Sequence, residues 1–126
     1  MGDYTDLKAY EKSFALAMKI FVLTKQFPKE EKYSLTDQIR RSSRSVSVNI
    51  VEAYRKRPYP LHFIAKLSDA DMENSETIVW IEFSIQCEYL DETIGRNLIN
   101  EYMEIGKLIQ YMINFPEKFG AKKTIK

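Results

Sequence analysis

Apolar residues recur along this chain at steps of three and four through four long stretches, the spacing of amphipathic helices. The first predicted helix covers about 4–26, with Leu7, Tyr10, Phe14, Ala17/Met18 and Phe21 in line. It leaves through Phe27-Pro28, because a residue before proline is pushed out of the helical region. The second covers about 35–57, entered through Ser34 or Thr36 and stopped by Pro58. Ser34 and Asp37 there have the spacing of a weak capping box. The third, about 60–90, has Pro60 in its first turn and a stripe of Phe63, Leu67, Ala70, Thr77/Ile78, Ile81 and Ile85. The fourth, about 92–114, follows Asp91 as N-cap and carries Ile94, Leu98, Met103, Ile105, Leu108/Ile109 and Met112. Phe115-Pro116 ends it, and residues 116–126 read as a basic, frayed tail. Short connectors between long amphipathic helices favour antiparallel neighbours. The expected fold is therefore all-α, an antiparallel up-down-up-down four-helix bundle in one domain spanning 1–126.

The second helix departs from a simple amphipathic pattern. At 100° per residue, Leu35, Ile39, Val46, Ile50 and Ala53 fall in one arc about 60° wide, its core face. Arg40, Arg41, Arg44 and Arg55 fall in another arc about 100° wide, and Val48 and Val51 lie inside it. Two β-branched apolar residues among arginines are unusual on a solvated face and point to a second contact surface. Ser42, Ser43, Ser45 and Ser47 fill much of the remainder, small enough for helices to approach closely.

Two readings of the arginines compete. From Leu67 to Gly95 the chain has eight acidic residues and no Lys or Arg. An antiparallel third helix sets Arg44 roughly level with Glu73 and Arg41 level with Glu76, so the arginines can be consumed in salt bridges. Alternatively they serve phosphate, for which the guanidinium fork is suited. Arg55, Lys56 and Arg57, clustered at the helix's C-terminal end, are the stronger phosphate candidates. The helix dipole also favours cations there.

Composition narrows the classes of function. Lys plus Arg number 19 against 18 Asp plus Glu, so only local charge can argue for nucleic acid. One His, one Cys and no Gly-rich phosphate loop leave metal, Ser-His-Asp and P-loop chemistry without their parts. No cofactor is expected. The single Cys87 excludes an internal disulfide and packs, on this reading, as a small apolar residue. No apolar run reaches the length of a membrane span and no signal-peptide core is evident, so a cytoplasmic protein without membrane contact is expected.

The segments FPKEEKYSLTDQIRRSSRSVSVNIVEAYRK and ENSETIVWIEF carry a family resemblance. The chain resembles, over about residues 6–118, the four-helix-bundle proteins encoded within intervening sequences of bacterial 23S ribosomal RNA genes, also called S23 ribosomal proteins. The first segment is similar to the family's FPKEE-aromatic-small-LT-x-Q-hydrophobic-RR stretch and the S-I/V-x-x-N-I-x-E element after it. The second resembles the S-x-ET-x-x-W segment of one branch. The glycine usual after N-I-x-E is replaced by Tyr54. The resemblance implies a left-handed bundle and a ring-like homo-oligomer such as a pentamer, in a family for which no enzymatic activity is established. A related branch accompanies diversity-generating retroelements, where a basic pentameric barrel binds nucleic acid and associates with a reverse transcriptase. The family's double arginine falls on Arg40 and Arg41, its Asn on Asn49 and its acidic residue on Glu52. The last two are read as structural pairs.

These observations lead to a non-enzymatic, bacterial, oligomeric bundle that binds RNA or DNA through Arg40, Arg41, Arg44, Arg55, Lys56 and Arg57. Val48, Val51 and Trp80 are its candidate interface residues. The rival is a protein-protein scaffold whose arginines pair across subunits. A remote alternative takes RPYPLH as a ribonuclease pair, with Arg57 binding phosphate and His62 in acid-base cleavage. Tyr54 and Tyr59 flank that turn and could stack on bases, or cap the end of the bundle.

Overall fold

The computed structural model describes residues 3–122, folded as an antiparallel up-down-up-down bundle of four helices. These are α1 (Lys8–Thr24), α2 (Leu35–Arg55), α3 (Pro60–Gln86) and α4 (Glu92–Asn114), with no strand among the described residues. α2 packs between α1 and α3, and α4 lies against α3 and α1.

The helix ends differ from the sequence expectation for local reasons. Tyr4–Asp6 form a separate 3-10 turn, so α1 starts later than residue 4. The Ser34–Asp37 capping box does not form. Glu31 instead accepts from Ser34 Oγ at 2.6 Å and from the Leu35 backbone N–H at 3.3 Å, capping α2 from the preceding turn. α2 stops at Arg55, two residues before the expected end. α3 stops at Gln86 rather than 90, because Glu88 takes φ 61° and the Tyr89 and Leu90 N–H groups both turn back to the Ser84 carbonyl. Asp91 does cap α4, accepting from Ile94 N–H at 3.2 Å.

The α2 core face is as the wheel places it: Leu35, Ile39, Val46, Ile50 and Ala53 are all buried. So are Phe63, Leu67, Ala70, Thr77, Ile81 and Ile85 of α3. In α4, Ile94 and Met103 are exposed, and the fully buried Tyr102 stands in the core between Leu98 and Ile105.

α1 corrects the expected pattern in part: Leu7 and Ala17 are buried as expected, but Phe14 and Met18 are not. Its core side is Ala9, Ser13, Leu16, Ala17 and Ile20, whereas Phe14 and Met18 are 51% and 50% exposed. The helix has two apolar stripes, and the one with the smaller side chains faces inward. That choice lets α1 approach α2 closely enough for Ser13 and Ser47 to share a buried 2.8 Å hydrogen bond. Ser42 and Thr77 make the matching 2.8 Å bond between α2 and α3. Ser42 and Ser47 of α2 thus sit at close helix contacts, their hydroxyls satisfied by partners on the neighbouring helices, while Ser43 donates to the Arg40 carbonyl of its own helix.

The expected frayed tail is also corrected. Pro116–Phe119 form a 3-10 turn, Gly120 adopts φ 88°, and Pro116 and Ala121 are buried. The chain through Ala121 therefore packs back on the bundle end. Residues 123–126 of that tail lie outside the described residues.

Candidate functional site on the second helix

The arginines of α2 separate into two groups, roughly 20 Å apart by helical rise. In the N-terminal group, Arg40 is half-buried. Its Nε donates to Thr24 Oγ1 at 2.8 Å and its guanidinium lies 4.9 Å from the centre of the Phe21 ring. Arg41 is bound on α3, 2.9 Å from Glu76 and 3.2 Å from Glu73. Those hydrogen bonds, Glu73 first, raise its pKa further. Arg44 does not pair with Glu73 as its level suggested. It leans toward Phe21 at 5.9 Å and makes no ion pair.

In the C-terminal group the phosphate assignment changes. Arg57 stacks 3.6 Å from the centre of the buried Tyr54 ring. Its Nε donates to the Tyr54 carbonyl and its Nη1 to the Phe119 carbonyl. This guanidinium holds the bundle end together, and it is the poorest phosphate candidate of the six. Arg55 lies 5.8 Å from the Tyr4 ring, and Lys56 is exposed. The cluster that looked strongest in sequence thus has one of its three cations committed to structure.

The apolar residues among the arginines open onto a groove between α1 and α2 of about 550 Å³. Tyr4, Tyr10, Phe14, Met18, Val48 and Val51 line it, with Arg44 on its rim. Val48 is 52% exposed and Val51 partly buried. Beside it lies a shallow basic depression of about 570 Å³, lined by Lys32, Tyr33, Arg40, Arg41, Arg44 and Val48, with Asp37 as its acidic residue. Tyr33 is 84% exposed.

Other sequence candidates have local partners. Asn49 donates to the Ser45 carbonyl and Glu52 pairs with Lys66 at 2.8 Å, both structural arrangements. Trp80 is partly buried beside Phe83 and donates to Glu76 at 3.3 Å. Cys87 is exposed at the end of α3 rather than packed. The RPYPLH pair is not brought together as a ribonuclease pair. Arg57 is bound as described, while His62 is exposed and meets only the Tyr59 ring edge-on. Of the two flanking tyrosines, Tyr54 caps the bundle end and Tyr59 is exposed. Among the described residues no group of three or more His, Cys, Asp or Glu could hold a metal ion, and no helix is long and apolar enough to cross a membrane.

Sequence reasoning missed the contributors from outside α2. Lys32 and Tyr33 come from the connector before α2, and Phe14 and Met18 were assigned to the core. Phe14, Met18 and Val22 recur at four-residue steps, a signal for a second apolar stripe on α1 that was present in the sequence.

Comparison with known proteins adds the family. The chain is similar, at 34% identity and a TM-score of 0.76, to a crystal structure of a protein of unknown function from the S23 ribosomal protein family of Bacteroides thetaiotaomicron. The match covers 84% of this chain and 95% of that one. No curated protein matches. The family model for the 23S rRNA-intervening sequence protein matches residues 5–111, nearly the length of the bundle. On that match the chain, with its RR pair at Arg40–Arg41 and its four packed helices, belongs to the 23S rRNA-intervening sequence protein family.

Proposed function

We propose that this protein works without catalysis, as a cytoplasmic homo-oligomer assembled through the α1–α2 face, and contacts RNA or DNA at the basic depression beside it. The observation that carries the reading is the groove itself. Phe14, Met18, Val22 and Val48 are all about half exposed on one face, and a contiguous apolar surface of this kind marks an interaction site. A core residue set exists independently of them, so their apolar character is not spent on folding the monomer.

The nucleic-acid part rests on the depression. Arg44 and Lys32 carry charges not consumed by acidic partners, and Tyr33 offers an exposed ring. Cations beside an exposed aromatic are the elements of a stacking platform for bases. Repetition around an oligomer would multiply that local field. A scaffold that binds only protein, its arginines paired across subunits, is the competing reading; Arg41's engagement with two glutamates of its own chain shows the kind of pairing it needs.

Two measurements test the parts separately. Light scattering should give a mass that is a multiple of the 14.9 kDa chain. A monomer at all concentrations would end the assembly reading. Binding to RNA and DNA oligonucleotides should weaken linearly in log salt, and Lys32→Ser should lower that slope by about one. Absence of binding at low salt would leave the scaffold.

A further inference from the structure

We propose that the basic depression at the start of α2 takes an unpaired guanine of a nucleic-acid strand, the base stacked on Tyr33 and its pairing edge held by the Asp37 carboxylate. The inference rests on the nucleic-acid reading above and names the base that the site selects.

Asp37 is an acid without a structural partner. It occupies the first turn of α2, inside a depression otherwise lined by Lys32, Arg40, Arg41 and Arg44. An acid at this position of a capping box reaches back to the backbone N–H of the N-cap residue. Here the Ser34 N–H donates to the Glu31 carbonyl at 3.0 Å, and the Glu31 carboxylate serves the Leu35 N–H. Arg40 and Arg41, three and four positions on, are the partners that helical spacing offers. Both turn away, Arg40 to Thr24 and Phe21 on α1 and Arg41 to Glu73 and Glu76 on α3. Asp37 is consequently exposed and makes no hydrogen bond or ion pair among the described residues. The helix dipole accounts for an acid in the first turn, but not for one left unpaired among cations.

Tyr33 supplies the stacking surface. It lines the same depression, four positions before Asp37, and its ring stands almost wholly in solvent. Lys32 Nζ lies 5.3 Å from the ring centre and adds charge beside it. An exposed ring beside cations stacks every base, so Tyr33 and Lys32 by themselves select none.

Asp37 makes the selection. A carboxylate only accepts hydrogen bonds, and it offers two oxygens side by side. Guanine presents N1–H and its N2 amino group side by side on the pairing edge, a matched pair of donors. Adenine and cytosine each offer one amino group beside an acceptor nitrogen. Uracil and thymine offer one N–H between two carbonyls, which repel a carboxylate. Guanine is therefore the base that satisfies Asp37 twice. Pairing in a duplex consumes that edge, so the guanine has to be unpaired. Arg44 lies seven residues beyond Asp37, about 10 Å by helical rise, lines the same depression and has no ion pair. That separation suits one nucleotide, with Asp37 on the base and Arg44 on the phosphate.

The test uses the full chain and short labelled strands, read by fluorescence anisotropy at low salt. The strands are oligouridine, the same strand with one central guanosine, and each annealed to its complement. The guanosine strand should bind about tenfold more tightly than oligouridine, and the two duplexes should bind alike. Asp37→Asn should abolish the preference, because an amide replaces one of the two acceptors by a donor. Oligouridine should bind that variant at least as well as wild type, since a negative charge has left a basic site. An Asp37 acting through charge alone would instead strengthen both strands equally. Guanosine monophosphate should compete only weakly; competition at the affinity of the strand would make a free nucleotide the ligand and overturn the strand assignment. Two further results overturn the proposal while leaving nucleic-acid binding standing. One is a wild type that binds oligouridine as tightly as the guanosine strand, and the other is a preference that survives in Asp37→Asn. Absence of binding to every strand would remove both the nucleic-acid reading and this one.

Discussion

Arg57 and Lys56 are neighbours in sequence with opposite roles. The first turns inward over Tyr54 and reaches the Phe119 carbonyl, while the second is exposed. Arg57→Ala should destabilise the fold by about 1–3 kcal/mol, through loss of a close cation–π contact and two hydrogen bonds to carbonyls. Lys56→Ala should stay within about 0.5 kcal/mol. Urea unfolding midpoints compare the two directly, and equal effects would contradict the structural role given to Arg57. The same guanidinium constrains Gly120. A Cβ there would lie 2.9 Å from Arg57 Nη1, on a backbone at φ 88°. Gly120→Ala should therefore cost about 1–2 kcal/mol by the same measurement. The double arginine, by contrast, was recognisable in sequence, but its pairing was only half legible. Arg41 reaches Glu76 as its level predicts, and Arg44 misses Glu73 because its side chain leaves the α2–α3 seam for α1. Level along an axis is a one-dimensional quantity; the side of the helix on which a long side chain lies is not.

Helix-to-helix packing reverses an expectation from helix propensity. Replacing a glycine inside a helix by alanine normally stabilises, by up to about 1 kcal/mol. At Gly95 a Cβ would sit 2.5 Å from the Ile85 side chain of α3, so Gly95→Ala should destabilise by about 1–3 kcal/mol. At Gly106 the nearest atom is Asn74 Nδ2 at 3.5 Å, an ordinary contact, and Gly106→Ala should stabilise by about 0.5–1 kcal/mol. Thermal melts of the pair should move in opposite directions. A second element-scale device joins the start of α2 to the α3–α4 connector: Tyr89 donates its hydroxyl to Glu31 at 2.9 Å, and Glu31 also accepts from Ser34 and Leu35. The Ser34 bond, then those from Tyr89 and Leu35, hold the Glu31 carboxyl below its usual range. The Glu31 carboxylate pushes the Tyr89 hydroxyl up to about 12. A depressed carboxylate contributes stability above its unfolded pKa and loses it as pH falls through the folded value. A raised phenol contributes below its unfolded pKa and loses it as pH rises through about 12. The stability difference between wild type and Glu31→Gln should thus be flat from about pH 5 to 9 and vanish under acid conditions. A difference that persists at pH 2 would show that charge on Glu31 is not involved.

The molecule leaves large apolar side chains exposed on α1, α2 and α3 alike, outside the core of the bundle. Association of native chains stabilises them by mass action, so the melting temperature should rise with protein concentration. A concentration-independent melt would argue for a monomer. The four-helix architecture, the inward faces of α2 and α3 and the Asp91 cap were readable from sequence, because periodicity and capping are local properties of the chain. The inward face of α1 was not. Two stripes fit the helical period equally well, and only the closeness of α2, with Ser13 against Ser47, selects the one with small residues. The phosphate candidates were likewise undecidable along the chain. Arg57 is committed by Phe119, 62 positions away, and Lys32 and Tyr33 join Arg40 and Arg44 only when the connector folds beside α2. Sequence by itself determined the helices, their order and the family, since these depend on spacing and motif. Tertiary structure alone decided which apolar faces are covered and which cations are taken, because both depend on what a side chain meets after the helices have packed.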